Sequence, residues 1–312
     1  MDAGRGSRSV RPLSRPVPEL PRAGTRVSLR YRLPAGSVPP LNDVVGHLLE
    51  RDPVVRVRTK TGESVTISPA DVVTVRVLTD VPVKSSQIRA VEHAAALAWP
   101  GLHREWVDGW LLRASDGYTH RGNSAVPLDI NANAATVPAI RDWYARRGLT
   151  PWLAVPDRLV QLPLRDVHLE SIVMVRALPA EAAAEVTVTP QPDPAWLAVY
   201  EREVPIEVLT AVVDGQVAFG RIDDAAVGRA AVTPARDGTR WVGLSAVRVA
   251  EDRRRRGHAR ALCAALLQWG ARGGATHAYV QVLADNHGAI ALYESMGFTA
   301  QHRERYVDAS KL

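Results

Sequence analysis

Six consecutive residues in the last quarter of the chain have the types and the order that an anion-binding loop requires. They are Arg254, Arg255, Arg256, Gly257, His258 and Ala259, between a strand-like run at 242–249 and a helical run at 259–270. A glycine lets the backbone approach a ligand, a small alanine avoids a clash, and the free N–H groups of a starting helix attract negative charge. The pattern therefore predicts a binding site for a pyrophosphate.

A second pattern follows at residues 286–298, which read N-H-G-A-I-A-L-Y-E-S-M-G-F after a strand-like run at 278–283. Asn286 opens the helical part of this pattern, and it could either cap the helix or bind a ligand. Gly297 and Phe298 indicate a helix stop followed by an anchor in the core. The two patterns are separated by one helix and one strand.

Together the patterns resemble the GNAT superfamily of N-acetyltransferases, whose coenzyme loop reads (Q/R)-x-x-G-x-(G/A) and whose last motif reads N-x-x-A-x-x-L-Y-x-x-x-G-F. The resemblance implies an α/β enzyme that uses acetyl-coenzyme A (acetyl-CoA) as cosubstrate and acetylates a primary amine by direct attack, without a metal. The acceptor could be a small molecule or a protein. The competing interpretation is a non-catalytic regulatory protein that senses acetyl-CoA or binds nucleic acid.

The resemblance also implies which residues hold the coenzyme. The end of the strand before the loop would bind the pantetheine arm as an added strand does, and the loop would hold the phosphates. The residues expected at the coenzyme are Val247, Arg248, Val249, Arg254, Arg255, Arg256, Gly257, His258, Ala259, Arg260, Asn286 and Tyr293.

Tyr293 matches the tyrosine of the family that donates a proton to the leaving thiolate. A phenol with a pKa of ~10 is suited to that role, although a tyrosine here could also merely pack. The general base has no clear candidate, because residues 241–249 contain no carboxylate. Glu207, Asp223 and Asp224 are weak candidates, and a solvated surface charge is the simpler interpretation of each.

Composition limits the class of protein. The chain has 312 residues, of which 46% are hydrophobic, and no apolar stretch approaches the ~18 residues that span a bilayer. Its start lacks the apolar region of a secretory signal, which predicts a cytoplasmic protein. Cys263 is the only cysteine, so an internal disulfide and a multi-cysteine metal site are excluded.

The net charge of +6 is concentrated in two places. Residues 1–22 hold five arginines against two acidic residues, and Arg253–Arg256 add four more positive charges. The rest of the chain is therefore close to neutral, and the excess charge is assigned to a tail and a coenzyme loop rather than to a nucleic-acid groove. The sequence does not indicate an oligomeric state.

Four segments are predicted along the chain. Residues 1–24 are expected to be a disordered basic tail, and 25–80 hold five short strand patterns that resemble a small Src-homology-3-like β-barrel. Residues 86–180 show the element order of a GNAT fold, but 129–133 lack a glycine or arginine for a phosphate site. We therefore expect a degenerate GNAT-like half at 86–180 and the catalytic GNAT domain at 185–312.

The degenerate half is also rich in tryptophan. These side chains could form its core or the wall of an acceptor pocket shared with the catalytic half, and core packing is the simpler interpretation. They are Trp99, Trp106, Trp110, Trp143 and Trp152.

Overall fold

The computed structural model describes residues 18–78, 83–178 and 186–312. Contacts divide the chain into two compact units, Met1–Pro82 and Val83–Leu312. The predicted disordered tail at 1–24 falls mostly outside the described residues. Within the described ranges, no helix is both long and apolar enough to cross a membrane.

The first unit contains a small antiparallel β-sheet. Its strands are β1 (Arg26–Arg32), β2 (Leu41–Glu50), β3 (Val55–Thr59), β4 (Ser64–Ile67) and β5 (Val72–Val77), in the spatial order β4-β3-β2-β1-β5. Alternate apolar side chains such as Val27 and Leu29 are fully buried on one face, as the period of two along a strand requires. The prediction of a small β-domain is confirmed.

The second unit begins with the predicted degenerate half. Its elements are α1 (Ser85–Ala98), β6 (His103–Val107), β7 (Trp110–Ala114), β8 (Val126–Pro127), α2 (Val137–Ala145), β9 (Trp152–Pro156) and β10 (Leu169–Ala177). Strands β6, β7 and β8 form a separate three-stranded sheet. A single parallel bridge between Ala125 and Leu153 joins its edge to β9.

The predicted catalytic half contains the remaining elements. They are β11 (Thr187–Thr189), α3 (Pro194–Tyr200), α4 (Ile206–Thr210), β12 (Gln216–Ile222), β13 (Ala226–Pro234), β14 (Arg240–Val249), α5 (His258–Arg272), β15 (His277–Leu283), α6 (His287–Ser295) and β16 (Thr299–Asp308). This mixture of helices and strands confirms the predicted α/β class.

The last strands of the two halves are exchanged. The main sheet has the order β11-β12-β13-β14-β15-β10-β16-β9. Strand β10 belongs to the first half by sequence, yet it lies between β15 and β16 and is antiparallel to both. Strand β16 in turn pairs with β9 of the first half. Each half therefore depends on the other to complete its sheet.

Helices cover both faces of this sheet. On α5, Leu262, Cys263 and Leu266 pack against β13 and β14. On the other face, Val91 and Ala94 of α1 pack in one cluster with residues of β14 and β15. The apolar face predicted for α1 from the helical period is buried, as expected for an amphipathic helix.

Two buried arginines, one from each half, hold the carboxyl end of α1. Arg113 on β7 donates to the carbonyl oxygen of Trp99 at 3.3 Å, and Arg229 on β13 donates to that of Ala98 at 2.8 Å. Carbonyl groups at a helix end have no partner within the helix, so a cation there satisfies them and opposes the helix dipole.

Most of the tryptophans of the first half are core residues. Trp99, Trp110 and Trp143 are buried, whereas Trp106 is 46% exposed. Trp152 is half-buried and stacks on the ring of His168. The core interpretation therefore describes three of the five.

Candidate active site

The site forms where two parallel strands separate. Strands β14 and β15 pair only from Trp241 to Leu244 and from His277 to Val280. Past that point β14 pairs with β13 alone. The register of that pairing shifts near Ala246, whose φ is 51°. The edge of β14 that faces β15 is thus open over its last residues, and an extended ligand can hydrogen-bond there as a strand does.

A cavity of about 1010 Å³ opens into this gap. Its walls are the end of β14, the loop before α5, the first turn of α5, the end of β15 and α6. All but one of the residues that the sequence predicts at the coenzyme lie in these walls. They are Val247, Arg248, Val249, Arg254, Arg255, Gly257, His258, Ala259, Arg260, Asn286 and Tyr293; the exception is Arg256.

Gly257 occupies the position just before α5 and has a φ of 84°, in the left-handed region. A Cβ atom at this position would meet no heavy atom within 4 Å, so the space beside the loop is open. No side chain caps the first turn of α5. Its N–H groups therefore remain available to an anion, and Arg254, Arg255 and Arg260 surround the same space with positive charge.

Asn286 begins α6 and caps it, because its side-chain oxygen accepts a hydrogen bond from the N–H of Ala289 at 3.1 Å. It also lines the cavity. The two interpretations left open by the sequence are therefore compatible. Beyond α6, Gly297 has a φ of 82° and Phe298 is buried beside the ring of Tyr293.

Tyr293 lies on α6 at the cavity wall and is only 7% exposed. Burial raises the pKa of its hydroxyl above the usual value, with a further rise from Cys263. The phenol therefore keeps its proton at physiological pH, and in this buried position it is a weaker acid than a free phenol. Cys263 is fully buried, and burial raises the pKa of its thiol to about 12, which leaves it unreactive.

The three weak candidates for the general base lie outside the cavity. Glu207 is exposed in the first turn of α4, and Asp223 and Asp224 lie in the turn between β12 and β13. Asp224 forms an ion pair with Arg253 at 2.9 Å. Among the described residues, the cavity walls contain no aspartate or glutamate at all.

Several wall residues carry no motif in the sequence. Arg121 belongs to the first half, and its guanidinium donates to the carbonyl oxygen of Gln281 at 2.9 Å. Tyr200, Arg202 and Ser245 also line the cavity. No local pattern marks Arg121, because its position depends on the packing of one half against the other.

A buried acid lies behind the wall. The side chain of Gln281 donates to Glu304 on β16 at 3.3 Å, and Glu304 is only 2% exposed. Burial, and to a lesser extent the negative charge of Glu92, raise the pKa of Glu304 to about 8. Glu92 itself pairs with His302 at 2.7 Å, and both are buried. This acid was not predicted from the sequence.

Two family models match the chain. "Probable histone acetyltransferase Rv0428c C-terminal" matches residues 85–307, and "Rv0428c N-terminal Sm-like domain" matches residues 21–76. The second match describes the small β-domain as Sm-like.

Known proteins agree with this assignment. The chain is 52% identical over 295 residues to "Probable histone acetyltransferase Rv0428c" of Mycobacterium tuberculosis, which covers 94% of this chain and 97% of the relative. It is 23% identical over 252 residues to "Uncharacterized N-acetyltransferase YobR" of Bacillus subtilis, covering 70% and 97%.

A solved structure shows the same fold. A GCN5-related N-acetyltransferase from Kribbella flavida superposes with a TM-score of 0.51 at 17% identity, over 73% of this chain and 96% of that chain. Together with the family matches, the likeness means that the chain belongs to the Rv0428c acetyltransferase family and is a GNAT-type acyltransferase.

Proposed function

We propose that the protein transfers an acetyl group from acetyl-CoA to a primary amine by direct attack. The observation that carries the proposal is the separation of β14 from β15 directly beside the loop at Gly257. The open strand edge suits the pantetheine arm, and the uncapped start of α5 suits the pyrophosphate.

The residues present fit this cosubstrate. The loop arginines supply charge for the phosphates, and the open space at Gly257 lets the backbone N–H groups come close. Bound acetyl-CoA would supply an acetyl group activated as a thioester. In the transfer, a bond forms between the amine nitrogen and the acetyl carbon while the bond from carbon to sulfur breaks.

Two protons must move in this reaction. The neutral phenol of Tyr293 donates one to the departing thiolate, and the attacking nitrogen loses one to water, which returns a proton to the tyrosinate. An N–H of β14 near Val247 would stabilise the negative charge that develops on the acetyl oxygen. The products are an acetamide and free coenzyme A.

The primary test combines binding and turnover. Calorimetry with acetyl-CoA should show association, and thiol release should depend on the presence of an amine. Coenzyme binding without turnover on any amine would contradict the proposal and favour a protein that senses the coenzyme.

The printed name of the Mycobacterium tuberculosis relative suggests a lysine of a histone as an acceptor. A protein lysine is therefore one acceptor to test on this chain. The positive charge of the cavity walls favours an acceptor that carries a negative charge instead.

A further inference from the structure

The cavity walls are strongly positive. Within the described ranges they contain no acidic side chain and seven arginines, namely Arg121, Arg202, Arg248, Arg253, Arg254, Arg255 and Arg260. Arg253, Arg254, Arg255 and Arg260 belong to the coenzyme loop or the first turn of α5. Arg248 forms an ion pair with Glu201. The remaining two, Arg121 and Arg202, are not explained by the coenzyme.

Arg121 lies in the gap where the acetyl group would be attacked. It bonds the carbonyl oxygen of Gln281, which directly follows Val280, the last residue of β15 that pairs with β14. Its positive charge also acts on the hydroxyl groups of Tyr293 and Tyr200, whose pKa values it pulls down against the larger effect of burial. Arg121 is thus near both the proposed proton donor, Tyr293, and Tyr200, which also lines the cavity.

The loop that carries Arg121 is rigidly held. The side chain of Asn123 is buried, accepts hydrogen bonds from the N–H groups of Ser115 and Gly117, and donates to the carbonyl of Thr119 at 2.8 Å. This network holds the backbone on both sides of Arg121, and the bond to Gln281 holds its guanidinium, so Arg121 loses little entropy when it binds a ligand. The loop therefore presents a preorganised cation.

Arg202 also lies in the cavity wall beside Tyr200, with its guanidinium 5.9 Å from the centre of the Tyr200 ring. Neither Arg121 nor Arg202 forms an ion pair with a carboxylate among the described residues. Both cations are therefore available to a ligand that brings its own negative charge.

We infer that the acceptor is a small amine that also carries an anionic group, a carboxylate or a phosphate, which Arg121 and Arg202 bind. The inference rests on the proposed acetyl transfer. With a monoanionic group bound, the two arginines keep one net positive charge near the amine, which favours its neutral, attacking form. The same charges repel a lysine-rich peptide.

The test compares matched amines that differ only in the anionic group. Suitable pairs are an α-amino acid with its amide, and phosphoethanolamine with ethanolamine. A lysine-rich basic peptide completes the panel. The value of kcat/KM is calculated per neutral amine, because the two members of a pair have different amine pKa values.

The anionic member of at least one pair should be preferred by about 10- to 100-fold, as expected for charge-assisted hydrogen bonds. A preference for the amino acid points to a carboxylate, and a preference for phosphoethanolamine points to a phosphate. Arg121→Gln should reduce this preference through KM, and Arg121→Lys should restore part of it. Arg146→Gln, on the exposed end of α2, is the matched control and should keep the preference.

Equal rates within each pair, or faster acetylation of the basic peptide, would overturn the inference while leaving the acetyltransferase intact. An Arg121→Gln enzyme with an unchanged preference would also overturn it. Coenzyme binding with no turnover on any amine is a different result, because it overturns the proposed function itself.

Discussion

Gly257 has a backbone conformation that other residues adopt only at a cost of about 1–2 kcal/mol. Gly257→Val adds this strain and also places a side chain in the open space beside the first turn of α5. We expect the Kd for acetyl-CoA, measured by calorimetry, to rise by at least about tenfold.

Gly238→Val is the matched control for this change. Gly238 has a φ of 82° and equally open surroundings, but it lies in the turn between β13 and β14. Both variants should melt at similar temperatures, and only Gly257→Val should bind coenzyme weakly. Similar affinities in the two variants would mean that the loop does not hold the phosphates.

Tyr293→Phe tests the proposed proton donor. The change removes one hydroxyl from a ring that stays packed on Phe298. Because loss of a general acid slows a reaction by about 100-fold or more, kcat should fall while coenzyme affinity changes little. Stopped-flow measurement of thiol release gives kcat, and calorimetry with acetyl-CoA gives the affinity. Tyr118→Phe, at an exposed position, should leave kcat unchanged, and an equal kcat in Tyr293→Phe would remove this tyrosine from the chemistry.

The buried carboxyl of Glu304 should make the stability of the folded protein depend on pH. Burial raises its pKa from 4.5 to about 8, so the folded protein keeps a proton that the unfolded chain has released. The protonated carboxyl of Glu304 therefore stabilises the folded protein fully below about pH 4.5, and this stabilisation is lost as the pH rises through about 8. Glu304→Gln should make the melting temperature depend less on pH between about 6 and 9.

The control for this pH effect is Glu203→Gln, which removes an exposed carboxylate. Its melting temperature should follow that of the natural protein across the same range. If Glu304→Gln also follows it, the carboxyl of Glu304 is ionised in the folded protein, contrary to our expectation.

At the carboxyl end of α1, Arg229 connects three elements. Its guanidinium donates to the carbonyl oxygens of Ala98, Leu209 and Ala211 and lies 4.2 Å from the centre of the Trp99 ring. Arg229→Met would leave three carbonyl groups without these donors. We expect a loss of about 3 kcal/mol in the free energy of unfolding, measured with urea.

Arg146→Met provides the comparison, because that side chain is exposed at the end of α2. A surface change of this kind should stay within about 0.5 kcal/mol. An equally small effect at Arg229 would mean that water replaces the guanidinium at the three carbonyls.

Most individual elements could be predicted from the sequence. The alternating strands of the first unit and the amphipathic face of α1 follow from local periodicity, and the loop at Gly257 follows from residue type and spacing. The exchange of β10 and β16 could not be predicted, because the apolar pattern of a strand does not indicate which other strand it pairs with.

The sequence could group the residues proposed to bind the coenzyme, because they lie close together in the chain and form two motifs, and most of them line one cavity. It could not indicate the residues proposed to bind the acceptor. Arg121 and Gln281 meet across 160 positions, and the buried state of Glu304 depends on β9 and β10 on either side of it. Such contacts are set by tertiary packing alone.

The exchange of strands predicts that the second unit folds only as a whole. A fragment of residues 186–312 lacks β10, so β15 and β16 each lose a neighbour in the middle of the sheet. We expect this fragment to aggregate on size-exclusion chromatography, whereas residues 83–312 should give a folded monomer or defined oligomer that binds acetyl-CoA.

Mixing the 186–312 fragment with residues 83–178 should restore binding, since the second fragment supplies β10. A well-folded 186–312 fragment with full coenzyme affinity would contradict this expectation. It would show that the sheet can close without the exchanged strand.

The exchanged strands also bear on where the second unit can tolerate changes in sequence. Residues 129–133 contain no glycine or arginine that could form a phosphate loop, and changes there remove no hydrogen bond from the main sheet. Changes in β10 are different, since they would weaken the centre of the sheet that carries the proposed coenzyme loop. Mutational tolerance should therefore be high at residues 129–133 and low along β10.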